Sequence, residues 1–185
     1  ATHAVTDTAS ADGGAFATAN TVSGTLTGDD IDSPVGSLAF SIRGGTLSAG
    51  SWSKTGLYGT LTLDATTHAW TYVPNKYDAI NALAAGETAH DVFQFRVTDS
   101  AGASSLQTFD VTFTGTNDVP LLAAQIADQV FSGGGTWRYQ VPAGSFTDAE
   151  GAGLTYTVEV LDLSNNVIDT ITSTTAGNPA LPSSW

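Results

Sequence analysis

Aspartate sits in the turns of this chain, and those turns are where its chemistry has to be sought. The densest is Gly28-Asp29-Asp30-Ile31-Asp32-Ser33-Pro34-Val35-Gly36, with three carboxylates ahead of a proline and a glycine. Such a turn repels itself unless something positive sits in it. Hard cations such as Ca2+ take about six to eight oxygens from carboxylates, carbonyls and water, so Asp30 and Asp32 suit that role. A merely solvated acidic turn is the alternative. Further acidic turns carry Glu87, Asp99, Asn117-Asp118 and Asp148-Ala149-Glu150. Asp7 and Asp12 read as solvated loop acids.

Catalytic arrangements do not stand out. His3, His68 and His90 read as belonging to different loops. No G-x-S-x-G or H-E-x-x-H pattern occurs, and Gly133-Gly134-Gly135 lacks the lysine and helix of a phosphate-binding loop. Carboxylates are numerous, but Asp-rich turns look the same without general acid work. The expectation is a protein that is not an enzyme.

Composition narrows the class. Eighteen acids, 15 of them Asp, face five Lys and Arg, giving a formal net charge of −13 over 185 residues. That charge repels nucleic acid and anionic lipid, so neither is an expected partner. Cysteine is absent, which excludes thiolate chemistry and Cys-type zinc sites but not an extracellular address. No apolar run approaches the ~20 residues that span a bilayer, so no membrane insertion is expected. The chain does not begin with Met, and an internal fragment is the expectation.

The elements that must position these turns are strands. Phe93, Phe95 and Val97 alternate with Gln94, Arg96 and Thr98, and Phe109, Val111 and Phe113 alternate with Thr108, Asp110 and Thr112. Period-two alternation of aromatic and β-branched residues means half-buried strands, here joined at Asp99–Gly102. Pro120 cannot continue a central strand, so the first sheet ends in a short acidic joint. Earlier strands are expected at 21–26, 37–42, 57–63 and 69–73, with Leu61, Leu63, Trp70 and Tyr72 in the core. A core role for Trp70 is favoured over a sugar-stacking platform. Residues 43–56 read as a loop carrying Trp52. Residues 75–85 hold one helical turn, ended by Gly86. Residues 1–20 read as a leader or linker, and helical periodicity is otherwise nearly absent.

The segments YGTLTLDATTHAWTYVPN, ALAAGETAHDVF, FQFRVTDSAG and FDVTFTGTNDVP occur in order and resemble the VCBS/cadherin-like repeats of large bacterial adhesins secreted by the type I (RTX) route. The stretch SFTDAEGAGLTYTVEV, with Asn178-Pro179 and Trp185, is similar to the dystroglycan-type cadherin-like (putative Ig) domain. The resemblance implies an all-β chain of two tandem Ig/cadherin-like Greek-key β-sandwiches, residues 21–118 and 119–185, the second incomplete. It also implies calcium between acidic loops. Carried over by position, the candidate ligands are Asp30, Asp32, Glu87, Asp99, Asn117 and Asp118, with Asp148 and Glu150 in the second module; Glu87, Asp91 and Asp99 are expected at one end of the sandwich. An internal echo supports two related modules: Asp30-x-Asp32 before Leu38 and Phe40 matches Asp148-x-Glu150 before Leu154 and Tyr156.

The function so implied is structural: a calcium-stiffened extender on a bacterial cell surface, serving adhesion and biofilm formation. Its partners would be neighbouring domains of the same polypeptide. A different class is a carbohydrate- or peptide-binding module framed by Trp137, Tyr139 and Trp185. A third is self-association, by strand exchange or dimerisation, through the open edge of the short second sheet.

Overall fold

A computed structural model describes residues 2–8, 14–32, 36–128, 130, 141–151, 153–161 and 164–173. Asp12, Pro34, Gly133–Gly135, Trp137, Tyr139 and Trp185 lie outside them. The protein is all-β, and its backbone separates into two compact units, Ala1–Asp118 and Val119–Trp185.

The first unit is a sandwich of two sheets. Its strands are β1 (Thr2–Thr6), β2 (Val22–Thr25), β3 (Ala39–Ile42), β4 (Thr46–Ser48), β5 (Ser51–Thr55), β6 (Thr60–Asp64), β7 (Ala69–Val73), β8 (Thr88–Thr98) and β9 (Ser104–Thr114). One sheet has the order β1-β9-β8-β3 and the other β2-β7-β6-β5-β4. The helices α1 (Gly14–Asn20) and α2 (Tyr77–Asn81) are short.

Alternation explains the core. In β8 and β9 the buried residues are Asp91, Phe93, Phe95, Phe109, Val111 and Phe113, while the residues between them face outward. Leu61, Leu63 and Tyr72 answer from the facing sheet, each fully buried. Phe109 sits at the centre, with ring centroids 5.0 Å from Trp70, 6.0 Å from Tyr72, 6.5 Å from Phe93 and 6.1 Å from Phe95. Trp70 is thus a core-packing residue, and a Cβ on Gly24 would stand 3.0 Å from its ring.

Several expectations are corrected. The opening segment carries a strand: β1 pairs in parallel with β9, from Thr2 opposite Asp110 to Thr6 opposite Thr114, and Val5 and Phe16 are buried in the core. A parallel partner more than a hundred residues away leaves no local mark. The segment 43–56 forms the hairpin β4–β5, with Trp52 opposite Leu63 and packed against the core. The edge strand β4 and its neighbour β5 are short, rich in Ser and Thr, and bury too little to show alternation. His3 and His90 lie on strands, not loops.

Residues 57–59, expected as strand, form a loop instead, and Asp91 is the reason. Its carboxylate is 3% exposed and accepts hydrogen bonds from the backbone N–H of Leu57 (2.7 Å), Tyr58 (3.1 Å) and Gly59 (2.9 Å) and from the Tyr72 hydroxyl (2.6 Å). Backbone donors taken by a carboxylate are not available to a ladder. Glycine is required at two of the closest approaches: a Cβ at Gly56 would overlap the Asp91 carboxylate, and one at Gly59 would overlap the Tyr72 ring.

Burial, then the bond to Asp91, pushes the Tyr72 phenol far above its ordinary value of about 10. The folded state therefore keeps a proton that the unfolded state gives up above roughly pH 10, and stability falls as pH rises past that point. Absorbance titration should find one tyrosine that ionises only as the fold is lost; smooth ionisation of all five with the fold intact would contradict this placement.

In the second unit, β10 (Leu121–Leu122) pairs with β11 (Phe146–Thr147), and β12 (Tyr156–Leu161) pairs with β13 (Val167–Ser173). Phe146 and Tyr156 meet edge to face at 6.0 Å. These two ladders are its strands among the described residues.

Candidate functional site

The acidic turns of the first unit gather at two opposite ends. At one end, the β8–β9 turn carries Asp99, whose Oδ1 accepts the N–H of Ala101 (2.9 Å) and Ala103 (2.8 Å). This is the usual reason for Asp at a turn: its carboxylate replaces a ladder partner. Asp29, Asp30 and Asp99 line one cleft of about 280 Å3, with Gly28, Ser104 and Ser105 on its walls. Beside it, the Asp32 N–H donates to Asp30 Oδ1 at 3.1 Å. The Asp32 carboxyl is held above its ordinary value, first by a hydrogen bond to the Asp30 side chain, then by that group's charge, with Asp99 adding to it. Like charges brought together favour a proton or another cation between them.

At the other end lie Asp7, Glu87, Asn117 and Asp118. The Asp7 N–H bonds the Thr114 carbonyl (2.9 Å), extending the parallel pairing by one residue. Asp7 is 4% exposed and Asp118 is 2% exposed. The Asp7 carboxylate accepts the N–H of Thr8 (2.8 Å) and of Thr116 (3.3 Å). The Thr116 hydroxyl, buried in the same place, has no hydrogen-bond partner among the described residues. Asn117 Nδ2 donates to the Asp118 carbonyl at 2.8 Å. Glu87 is held here by its backbone, with the Gly115 N–H bonded to its carbonyl at 2.9 Å, and its side chain accepts the Ala84 N–H at 3.0 Å.

This placement corrects two expectations. Glu87 and Asp99 flank the 11-residue strand β8, which at roughly 3.3 Å per residue sets them on the order of 40 Å apart. They do not share an end, and Asp91 between them serves the core. Asp7, read as a solvated loop acid, is buried beside the joint. Only the β1–β9 pairing brings it there, so no local signal in the sequence could have found it.

Asp148 and Glu150 sit in the second unit, in a turn closed by the Gly151 N–H on the Asp148 carbonyl at 3.2 Å. Both are half-buried. Among the described residues no three carboxylate or imidazole side chains stand close enough together to hold a metal ion by themselves. A cation at either end would need carbonyl, hydroxyl or water oxygens as well.

Among the described residues, no helix is long and apolar enough to cross a membrane. No family model matches the chain, and no curated protein matches it.

Proposed function

We propose that the chain is a calcium-stiffened structural segment of a bacterial surface adhesin, built of tandem cadherin-like modules and exposed outside the cell. The observation that carries this reading is a pair of buried carboxylates where the first unit ends: Asp7, which accepts the Thr116 N–H, and Asp118, two residues further on; the Thr116 hydroxyl has no hydrogen-bond partner among the described residues. Carboxylate and hydroxyl oxygens are the donors a hard cation takes. Asp7, Thr116 and Asp118 would hold it there, and Asp30, Asp32 and Asp99 would share one at the far end. The ion supplies charge neutralisation: carboxylates that repel without it are bridged with it, and the joint stiffens.

Extracellular calcium modules bind at roughly 10−4–10−3 M, a range suited to the outside of a cell. The test is thermal unfolding with millimolar Ca2+, with Mg2+ and with chelator. A site filled at 100 times Kd stabilises by about 2.7 kcal/mol. The expected result is a rise with Ca2+ alone, reduced in both Asp30→Asn and Asp118→Asn. Equal melting in all three conditions would remove calcium from the account.

A second reading, a binding module, is favoured by one feature of the second unit. A mainly apolar cleft of about 320 Å3 is lined there by Pro120, Ile126, Val141, Phe146, Leu154 and Tyr156. It is of a size to take a peptide side chain or a small ligand.

A further inference from the structure

Five Lys and Arg residues serve a chain of net charge −13, yet two of them converge on one cleft of the first unit. Arg43 and Gly44 form the turn from β3 into β4, closed by the Gly45 N–H on the Ile42 carbonyl at 2.9 Å. The Arg43 N–H bonds the Gln94 carbonyl at 2.8 Å, so Arg43 stands directly opposite Gln94 on β8. Lys54, on β5, reaches the same place: its Nζ donates to the Arg43 carbonyl at 3.1 Å. The cleft is about 420 Å3, lined by Arg43, Gly44, Lys54, Val92 and Gln94. Arg96 follows Gln94 on the same outward face, a diagonal neighbour of Arg43.

Among the described residues these cations have no carboxylate partner. None of Arg43, Lys54 and Arg96 lies within 4.0 Å of a described carboxylate; among the described residues the one such contact is His90 Nδ1 with Asp110 Oδ1 at 3.0 Å, an ion pair when the imidazole is protonated. Asp110 faces this side too, opposite Val92, but His90 holds it. In so acidic a chain, three cations on one face with Asp110 as the neighbouring carboxylate make a local patch of positive charge. Arg43 donates through Nη1 to Gln94 Oε1 at 2.7 Å, which fixes the guanidinium and leaves its other N–H groups for a ligand.

We propose that this cleft binds a small hydroxylated carboxylate, of the class of sugar acids. A guanidinium fork takes a planar carboxylate through two parallel hydrogen bonds, and the ammonium of Lys54 adds charge from the side. The volume falls within the roughly 300–1,000 Å3 of small-molecule sites and exceeds what a bare inorganic ion requires. The remaining donors, the Gln94 amide and two protons of Lys54 Nζ, match sugar hydroxyls. A net charge of −13 repels polyanions, so an occupant with one carboxylate is favoured over an acidic polymer or a second copy of this chain.

The test is a titration of the full chain with sodium glucuronate, followed by amide shifts in 1H–15N spectra at fixed ionic strength. Glucose and inorganic phosphate are the comparison probes. Chelator is present throughout, so the outcome is separate from that of the calcium reading. The expected result is saturable shifts at Arg43, Gly44, Gly45 and Gln94 with glucuronate, none with glucose, and weaker binding of phosphate. Arg43→Gln and Lys54→Gln, both solvent-facing changes, should each weaken binding by about tenfold, as loss of a charge-assisted contact does. Gln94→Glu supplies an internal carboxylate to Arg43 and should abolish binding with the fold intact. Non-saturable shifts, equal shifts with glucose, tighter binding of phosphate, or unchanged affinity in Arg43→Gln would each overturn the proposal. So would shifts at these amides that follow protein concentration without ligand, which would mark a contact between copies.

Discussion

Asp91→Ala should cost about 4 kcal/mol, because four donors converge on that carboxylate and all lose their acceptor together. A buried donor left without a partner costs roughly 1–3 kcal/mol. Leu57 is largely exposed, so its N–H can turn to water; the Gly59 N–H and the Tyr72 hydroxyl cannot. Against a typical domain stability of about 5–15 kcal/mol this is a large fraction. At roughly 4 °C per kcal/mol the melting temperature should fall by about 15 °C. Asp91→Asn should recover little, since it keeps one acceptor oxygen but aims an amide N–H2 at the remaining donors. Tyr72→Phe removes a single hydrogen bond and should cost about 1 kcal/mol. Circular dichroism melts of the three variants decide the matter. A loss below about 1 kcal/mol in Asp91→Ala would mean that the 57–59 loop is held by something else.

Phe109→Ala should be of similar size, about 3–5 kcal/mol, since its ring is the hub of the core and the cavity left behind cannot close. Four aromatic rings from both sheets stand around it, and it is 2% exposed. Leu106, three residues earlier on β9, points outward and is 44% exposed; Leu106→Ala should stay within about 0.5 kcal/mol. The comparison tests register as well as packing. A slip of one residue in β9 would turn its inward side chains to solvent and bring Leu106 inside. Chemical denaturation of both variants checks it: comparable losses would contradict the β8–β9 register, in which Phe109 faces Phe93.

The architecture rests on the same physics that made it legible. The long alternating runs 93–98 and 108–113 could be read as strands because a half-buried strand needs one apolar face. Residues 60–64 and 69–73 were legible for the same reason, as was the turn between them. There Asp64 accepts the N–H of Thr66 (2.9 Å) and of Thr67 (2.7 Å), and these bonds hold its carboxyl below the usual range. Period-two patterning and turn chemistry are local properties, written in a few neighbouring residues.

The acidic turns were legible as turns, and less so as sites. Asp30 and Asp99 come from loops almost seventy residues apart in sequence and line one cleft because β3 pairs with β8. The parallel pairing of β1 with β9 carries Asp7 to the joint beside Thr116, and nothing near Asp7 announces it. Glu87 and Asp99 flank one strand and were expected together; the length of that strand sends them to opposite ends. Asp91 was expected with Glu87 and Asp99 at one end of the sandwich, yet the inward face of β8 makes it the anchor of a neighbouring loop.

The sequence by itself determined the all-β class, the principal strands, the turn chemistry and the acidic charge, because each depends on residue type and short-range spacing. The tertiary structure alone decided which carboxylates share an end, which are buried, and that Arg43 and Lys54 meet over Gln94. Those outcomes depend on strand pairing between distant segments, and on which of two faces each residue presents once the sheets close on each other.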